Sequence, residues 1–426
     1  MGAYRVCGGK KISGELTIGG GKNAILPILA SVILNSGVSV LHNCPRIADT
    51  FTSIEILETI GCKVAMEGNT LIIDSSGADK CEIPEKLVGK MRSSIIFMGG
   101  VLGRFRTVKI SYPGGCELGL RPINYHLKAL TQLGAEITDE HGFIIAKADK
   151  LRGTKINLDF PSVGATENTM LAAVFAEGET MIVNAAKEPE IADLQNFLNA
   201  CGAKIKGAGT DAITIRGVPR LHGAEYTIMP DRIAAGTFLA AAAVTGGSVT
   251  LRNVMAEHLY PITSKLTETG CGIQTRPGIV SLTSPGKLRA LDRLRTCPHP
   301  GFPTDMQPQM TALLCTANGT SIVEETMFES RNRHVNELMR MGADIILAES
   351  GRTAIIKGVK KLKGSTVSSK DLRGGAALIL AGLAAEGTTT VTNSEHVERG
   401  YERIEHALTQ LGADVVHLCS ESHLGE

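Results

Sequence analysis

Six glycines divide this chain into nearly equal parts. Gly61, Gly134, Gly202, Gly270, Gly342 and Gly412 each close a helix-like apolar pattern and precede a strand-like one, and successive members lie 68 to 73 residues apart in a chain of 426. So regular a period, in the same local setting each time, marks one supersecondary unit copied six times. In the second copy Ile123, Leu127, Leu130 and Leu133 follow Pro122 at helical spacing, and Gly134 stands where a left-handed backbone carries no Cβ penalty. Ile191, Leu194 and Leu198 repeat the pattern before Gly202, as Tyr401, Ile404, Leu408 and Leu411 do before Gly412.

Strand-like stretches follow the glycines. Ile213-Thr214-Ile215-Arg216 alternates, as a strand with one buried face does, whereas Ala354-Ile355-Ile356 is continuously apolar and reads as buried on both faces. Ahead of each amphipathic helix lies a more apolar one, expected near residues 24–34, 94–102, 168–175, 234–244, 310–315 and 376–385. A helix apolar on most sides is buried on most sides. The unit therefore reads as strand, buried helix, strand, surface helix and two strands. Three units would surround a shared helical core, and six would make two similar α/β domains.

Charge excludes some partners. With 44 basic and 43 acidic residues the net charge is +1, so no global field favours nucleic acid or an acidic membrane surface. No apolar run approaches the ~18 residues of a membrane span, and no signal peptide opens the chain, so a cytoplasmic protein is expected. Met1-Gly2 resembles a myristoylation start, but Val6 stands where Ser or Thr is needed. The ten cysteines lie at least 18 residues apart, which argues against a Cys-x-x-Cys metal or redox site and against a compact disulfide framework. Cys62, Cys201 and Cys271, beside the repeat glycines, read as small buried hydrophobes. Neither a metal nor a cofactor is expected.

Cys116 is different. It sits in Tyr112-Pro113-Gly114-Gly115-Cys116-Glu117-Leu118-Gly119-Leu120-Arg121-Pro122, a loop that feeds a helix near Pro122. A thiol near a helix N-terminus and a guanidinium can have its pKa lowered, so reactive and structural readings both stand. Cations also stand at other expected helix starts, in Gly19-Gly20-Gly21-Lys22-Asn23, Met91-Arg92 and Asp371-Leu372-Arg373-Gly374-Gly375. Free backbone amides, the helix dipole and a cation together would hold an anion; a solvated charge is the plainer alternative for each residue alone. Asp305, in His299-Pro300-Gly301-Phe302-Pro303-Thr304-Asp305-Met306-Gln307, fits either a helix cap or a base facing arginines.

These segments, with Met91-Arg92-Ser93-Ser94, Ser162-Val163-Gly164-Ala165-Thr166, Pro230-Asp231-Arg232 and Arg399-Gly400-Tyr401-Glu402-Arg403, closely resemble the UDP-N-acetylglucosamine 1-carboxyvinyltransferase family of enolpyruvyl transferases. The resemblance runs in order along nearly the whole chain. It implies an inside-out α/β barrel of two domains, each of three βαβαββ units, with residues 22–229 in the first and residues 1–21 and 230–426 in the second. The crossings near Lys22 and Pro230 would act as a hinge that closes over substrate and excludes water.

The implied reaction moves the enolpyruvyl group of phosphoenolpyruvate onto the 3-hydroxyl of UDP-N-acetylglucosamine and releases phosphate, the first committed step of peptidoglycan synthesis. By the same resemblance Cys116 donates the proton to C3 of phosphoenolpyruvate, can form a covalent adduct with it and is the residue alkylated by fosfomycin. A proton donor must arrive protonated, which limits how far its pKa can fall. Asp305 would be the base or hydrogen-bond acceptor for the sugar hydroxyl. Lys22, Arg121 and Arg399 would hold the phosphate and carboxylate of phosphoenolpyruvate, with Arg92, Arg331 and Arg373 closing the site. Nucleotide-sugar contacts are implied for Asn23, for Arg121, Pro122, Ile123, Asn124 and Tyr125, for Phe160, Pro161, Ser162 and Val163, and for Asp305 and Met327.

The chain departs from the commonest family pattern at Asn124, where Asp is frequent, and at Phe160, where Lys is. Gly19 and Gly21 replace Ser and Ala, and Gly374-Gly375 replaces Ala-Ser. These changes bear on nucleotide affinity and on whether the chain is a principal enzyme or a second copy. 5-Enolpyruvylshikimate-3-phosphate synthase, on the same fold, would carry a Gly-Ser-Lys-Ser type segment where this chain has Lys22-Asn23. RNA 3′-terminal phosphate cyclase shares related units but does not account for the Pro-Gly-Gly-Cys loop. A non-catalytic ligand sensor would leave the joint presence of Cys116, Asp305 and the clamp cations unexplained.

Overall fold

The computed structural model describes residues 2–114 and 123–418. These form two compact units, one of residues 2–18 with 230–418 and the other of residues 19–114 with 123–229. No helix among the described residues is long and apolar enough to cross a membrane.

The third copy displays the repeat in full. Strand Lys155–Asn157, buried helix Val163–Ala173, strand Glu179–Val183, surface helix Pro189–Ala200 and strands Lys204–Lys206 and Ala212–Arg216 follow in turn. Glu179–Val183 pairs antiparallel with Ala212–Arg216, Ile182 opposite Ile213, and parallel with Lys155–Asn157, Ile182 opposite Ile156. Buried residues alternate along Ala212–Arg216, as its sequence pattern anticipates. The same strand arrangement recurs in four further sheets; the second copy pairs three strands, with only the isolated bridge Glu82 to Lys109 in the fourth place.

Two first strands are exchanged. Ser13–Thr17, which precedes the first buried helix, pairs parallel with Ser248–Arg252 of the fourth copy, while Glu225–Thr227, which precedes the fourth buried helix, pairs parallel with Val38–His42 of the first. The chain therefore passes from one unit to the other after Ile18 and back after Met229. Strand Ala3–Cys7 completes the sixth sheet, antiparallel to both Thr388–Thr392 and Asp414–Leu418.

Apolar helices fill each unit and sheets cover them. In the unit of residues 2–18 and 230–418, helices Arg232–Thr245, Gln307–Leu314 and Leu372–Ala384 pack against one another, and every residue from Arg373 to Leu383 is buried. These helices start earlier than the apolar runs at 310 and 376 suggest, and Val163–Ala173 starts earlier than 168. Their first turns bury polar side chains, among them Thr166, Glu167, Gln307, Gln309 and Arg373, which a hydrophobicity pattern passes over.

All six repeat glycines adopt left-handed backbone, with φ of 109°, 102°, 100°, 101°, 90° and 91° in chain order. An L side chain at these positions would be strained, so the sequence signal and the turn share one cause. Cys62, Cys201 and Cys271 are buried as expected, and burial pushes the Cys62 thiol up to about 11 and the Cys201 thiol up to about 12. Ala354-Ile355-Ile356 is corrected: Ala354 and Ile356 are buried, but Ile355 is 39% exposed, so that strand has one buried face.

A second repeated position emerges from the backbone. The residue after the second strand is Asn43, Asn184, Asn253 and Asn393 in copies one, three, four and six, with φ between 55° and 59°. Asparagine tolerates this conformation. Each side-chain amide donates to the carbonyl of the residue that follows the parallel neighbour, at 2.9 Å to Ile228, 2.7 Å to Leu158, 2.7 Å to Ile18 and 3.3 Å to Ser369. Copies two and five carry Tyr112 and Glu325 there instead.

Candidate functional site

Asp305 lies in the 3-10 turn Thr304–Met306, immediately before helix Gln307–Leu314. It is not a cap of that helix, which corrects the plainer reading of the sequence. Instead Arg331 Nη2 donates to Oδ1 at 2.6 Å and Arg373 Nη2 donates to Oδ2 at 2.9 Å. Both arginine side chains are 2% exposed, while that of Asp305 remains 25% exposed. Burial alone would raise the Asp305 carboxyl, but Arg373 and Arg331 outweigh it and hold the group far below the usual carboxylate range.

The two arginines are themselves fixed. Arg331 donates through Nε and Nη2 to the Thr304 carbonyl, at 3.2 and 2.9 Å, and lies over the Phe328 ring. Arg373 lies 5.4 Å from the centre of the Tyr401 ring, whose hydroxyl shares a buried network with Thr237 and Gln309. Burial would lower the Arg373 pKa, but Asp305 above all, then Tyr401 and Asp231, drives it upward, so the guanidinium stays charged. Its Nε and Nη1 find no hydrogen-bond acceptor of good geometry among the described residues. A buried guanidinium with donors to spare suits an anionic or oxygen-rich ligand.

The sixth helix start departs from expectation. The Asp371 carboxylate accepts from Arg373 N at 3.0 Å and Gly374 N at 2.9 Å, so the amides read as free for an anion are already capped. Asp231 likewise accepts from Ile233 N and Ala234 N at 2.8 Å.

In the other unit Lys22 is the first residue of helix Lys22–Ser31, and its Nζ stands 2.8 Å from Asp49 Oδ2 in a pair whose side chains are 10% and 3% exposed. Asp49 was not legible from sequence as a partner, because an acidic residue in a first helical turn ordinarily complements the dipole. Asn23 follows on the same turn, half-buried, and Arg92 opens the turn Arg92–Ile96. Ile123 is buried, Asn124 exposed and Tyr125 half-buried at the start of helix Asn124–Gln132. Phe160, Pro161, Ser162 and Val163 are half-buried where the chain enters Val163–Ala173, and Ser162 caps it by accepting from Ala165 N at 3.3 Å. Met327 is half-buried beyond strand Thr320–Glu324, and Arg399, half-buried, follows Glu395–Glu398. Cys116, Arg121 and Pro122 lie outside the described residues. The structure thus brings together Asp305, Arg331 and Arg373, and gives Lys22 a partner the sequence did not reveal.

Comparison with known proteins agrees with this architecture. The family model described as EPSP synthase (3-phosphoshikimate 1-carboxyvinyltransferase) matches residues 6–408. The chain belongs to this family of carboxyvinyltransferases. A relative from Caldanaerobacter subterraneus subsp. tengcongensis, named UDP-N-acetylglucosamine 1-carboxyvinyltransferase 2, is 54% identical over 418 residues, covering 98% of this chain and 100% of the relative. UDP-N-acetylglucosamine 1-carboxyvinyltransferase 1 from Symbiobacterium thermophilum is 52% identical, covering 97% and 94%. Among solved structures, the enolpyruvyl transferase NikO from Streptomyces tendae superposes with a TM-score of 0.87 at 24% identity over 98% of this chain and 99% of its own. EPSP synthase from Acinetobacter baumannii does so with a TM-score of 0.75 at 19% identity, over 98% and 100%. These two likenesses speak to the fold.

Proposed function

We propose that this chain transfers the enolpyruvyl group of phosphoenolpyruvate to the 3-hydroxyl of UDP-N-acetylglucosamine with release of phosphate, in the cytoplasm, as the first committed step of peptidoglycan synthesis. The observation that carries this reading is the match, at about half identity and nearly full length, to proteins named for that activity. The Asp305 cluster supports it chemically.

The reaction is addition followed by elimination. The sugar hydroxyl attacks C2 of phosphoenolpyruvate while C3 gains a proton; the tetrahedral product then loses a proton from C3 and its phosphate, restoring the alkene. Cys116 is the proposed donor to C3. Asp305 is the proposed partner of the sugar hydroxyl, and its clamping refines that role. A carboxylate whose two oxygens already accept from guanidinium groups is a weak base, so the geometry favours an acceptor that orients the hydroxyl over a group that removes its proton in the ground state. Lys22, Arg121 and Arg399 are proposed to hold the phosphate and carboxylate of phosphoenolpyruvate, and Arg92 to assist them. Asn23, residues 121–125, residues 160–163 and Met327 are proposed to contact the nucleotide sugar.

The test is phosphate release from phosphoenolpyruvate with each acceptor supplied alone. Release that requires UDP-N-acetylglucosamine supports the proposal, whereas release with shikimate 3-phosphate transfers the chain to the other branch of its family. Incubation with fosfomycin should add its mass to the peptide that contains Cys116; labelling elsewhere only would remove Cys116 from the reaction.

A further inference from the structure

Glu325 stands where four of the six copies place a left-handed asparagine. In those copies the asparagine amide donates to the carbonyl of the residue just after the parallel neighbour, and the amide of that same residue bonds the second strand, as Ile228 N does to the His42 carbonyl at 3.0 Å. Copy five keeps the backbone bond, Thr296 N to the Glu324 carbonyl at 3.0 Å. Its side-chain chemistry is reversed. Glu325 cannot donate as asparagine does, and it collects donors instead.

Four neutral donors converge on this carboxylate, which is 2% exposed. Oε1 accepts from the Thr296 hydroxyl at 3.1 Å, from Met327 N at 2.7 Å and from Phe328 N at 3.1 Å, and Oε2 accepts from the Thr304 hydroxyl at 2.9 Å. Thr304 is the residue before Asp305, and its carbonyl receives two bonds from Arg331. Phe328 carries the ring beneath Arg331, and Met327 precedes it. One buried side chain thus ties the Asp305 turn, the platform of its arginine and the Met327 turn to a strand end. The asparagines of the other copies fasten one carbonyl each.

We infer that Glu325 is a positioning residue for the acceptor substrate: it sets Asp305, Arg331 and Met327 in one fixed arrangement. The inference rests on the proposed roles of Asp305 and Met327 toward the nucleotide sugar. Glu325 itself touches no reacting atom. Its removal should therefore weaken use of UDP-N-acetylglucosamine and spare that of phosphoenolpyruvate.

Steady-state phosphate release on Glu325→Ala and Glu325→Gln, varying each substrate in turn, tests this. For Glu325→Ala, KM for UDP-N-acetylglucosamine should rise about tenfold, the scale of one or two lost hydrogen bonds to a charged acceptor, with a fall in kcat. KM for phosphoenolpyruvate should stay within about twofold, too small a change for any lost hydrogen bond. Glu325→Gln should return both constants to within about threefold of the parent, since its amide oxygen keeps the two backbone donors and its NH2 can donate to a threonine hydroxyl. A folded Glu325→Ala with unchanged constants, an equal rise in both KM values, or a Glu325→Gln as impaired as the alanine would overturn the inference. If Glu325→Ala does not fold, Thr304→Val removes one bond only and should raise the same KM by about threefold; no rise has the same overturning force. Asp305→Ala separates the two levels: near-normal activity there sinks the Asp305 role, whereas its loss alongside an unaffected Glu325→Ala sinks only the present inference.

Discussion

Three aspartates in one unit stand where the chain enters a buried helix, and they do different things. Asp231 and Asp371 each take two main-chain amides of the helix they begin, at 2.8 to 3.0 Å. Asp305 does not cap its helix, and its two oxygens meet Arg331 and Arg373. The difference comes from a 3-10 turn that sets Asp305 before the helix proper and from the two buried arginines that meet its carboxylate. A repeat can thus keep a residue type at an equivalent place and change its work by altering what faces it. Charge is dispensable at a cap, where neutral asparagine serves as well. Opposite two buried guanidinium groups it is not.

That contrast can be broken by substitution. The largest effects belong to the proposed chemistry: Cys116→Ser and Asp305→Ala should each lower turnover by on the order of 10² to 10⁴, the range for a lost acid–base or orienting group, and near-normal phosphate release by either variant would remove that residue from its role. Asp305→Ala should also destabilise the unit by about 3–5 kcal/mol, because it leaves two buried positive charges uncompensated; an unchanged denaturation midpoint would show that the arginines relax into solvent. Asp305→Asn should remain severely impaired, while Asp371→Asn keeps its stability and Asp371→Ala loses about 1 kcal/mol. Equal tolerance of asparagine at 305 and 371 would erase the distinction.

The smallest effect lies in the other unit. Glu167 is buried, and burial first, then the charges of Glu190 and Glu188, pushes its carboxyl well above the ordinary value. A group whose folded pKa exceeds its unfolded one contributes stability fully below the unfolded pKa and loses it as pH rises toward the folded one. Glu167→Gln, neutral at every pH, should therefore melt higher than the parent at pH 8, with the gap narrowing as pH falls to 5. A gap that widens on acidification would show the carboxylate to be compensated when ionised.

Much of this molecule was legible in its sequence for a physical reason. Gly61 and its five counterparts mark turns that only glycine adopts without strain, so the repeat, the unit order and the α/β architecture could be read from spacing. Helix starts were harder, since Gln307, Gln309 and Arg373 are polar yet buried. Asp305, Arg331 and Arg373 were marked individually by family resemblance, but their convergence depends on contacts 26 and 68 residues apart in sequence. Asp49 and Glu325 stayed hidden because an acid in a first helical turn, or one after a strand, looks like a solvated charge until its donors are seen. Glu325 had one signal available: its place in the period, where four copies have asparagine.

Phosphate release from phosphoenolpyruvate, followed with UDP-N-acetylglucosamine or shikimate 3-phosphate as the only acceptor, tests the central claim most directly. The account predicts release with UDP-N-acetylglucosamine, lowered in Cys116→Ser by on the order of 10² to 10⁴, and none with shikimate 3-phosphate. Release with shikimate 3-phosphate alone, or with neither acceptor in a folded protein, would contradict it.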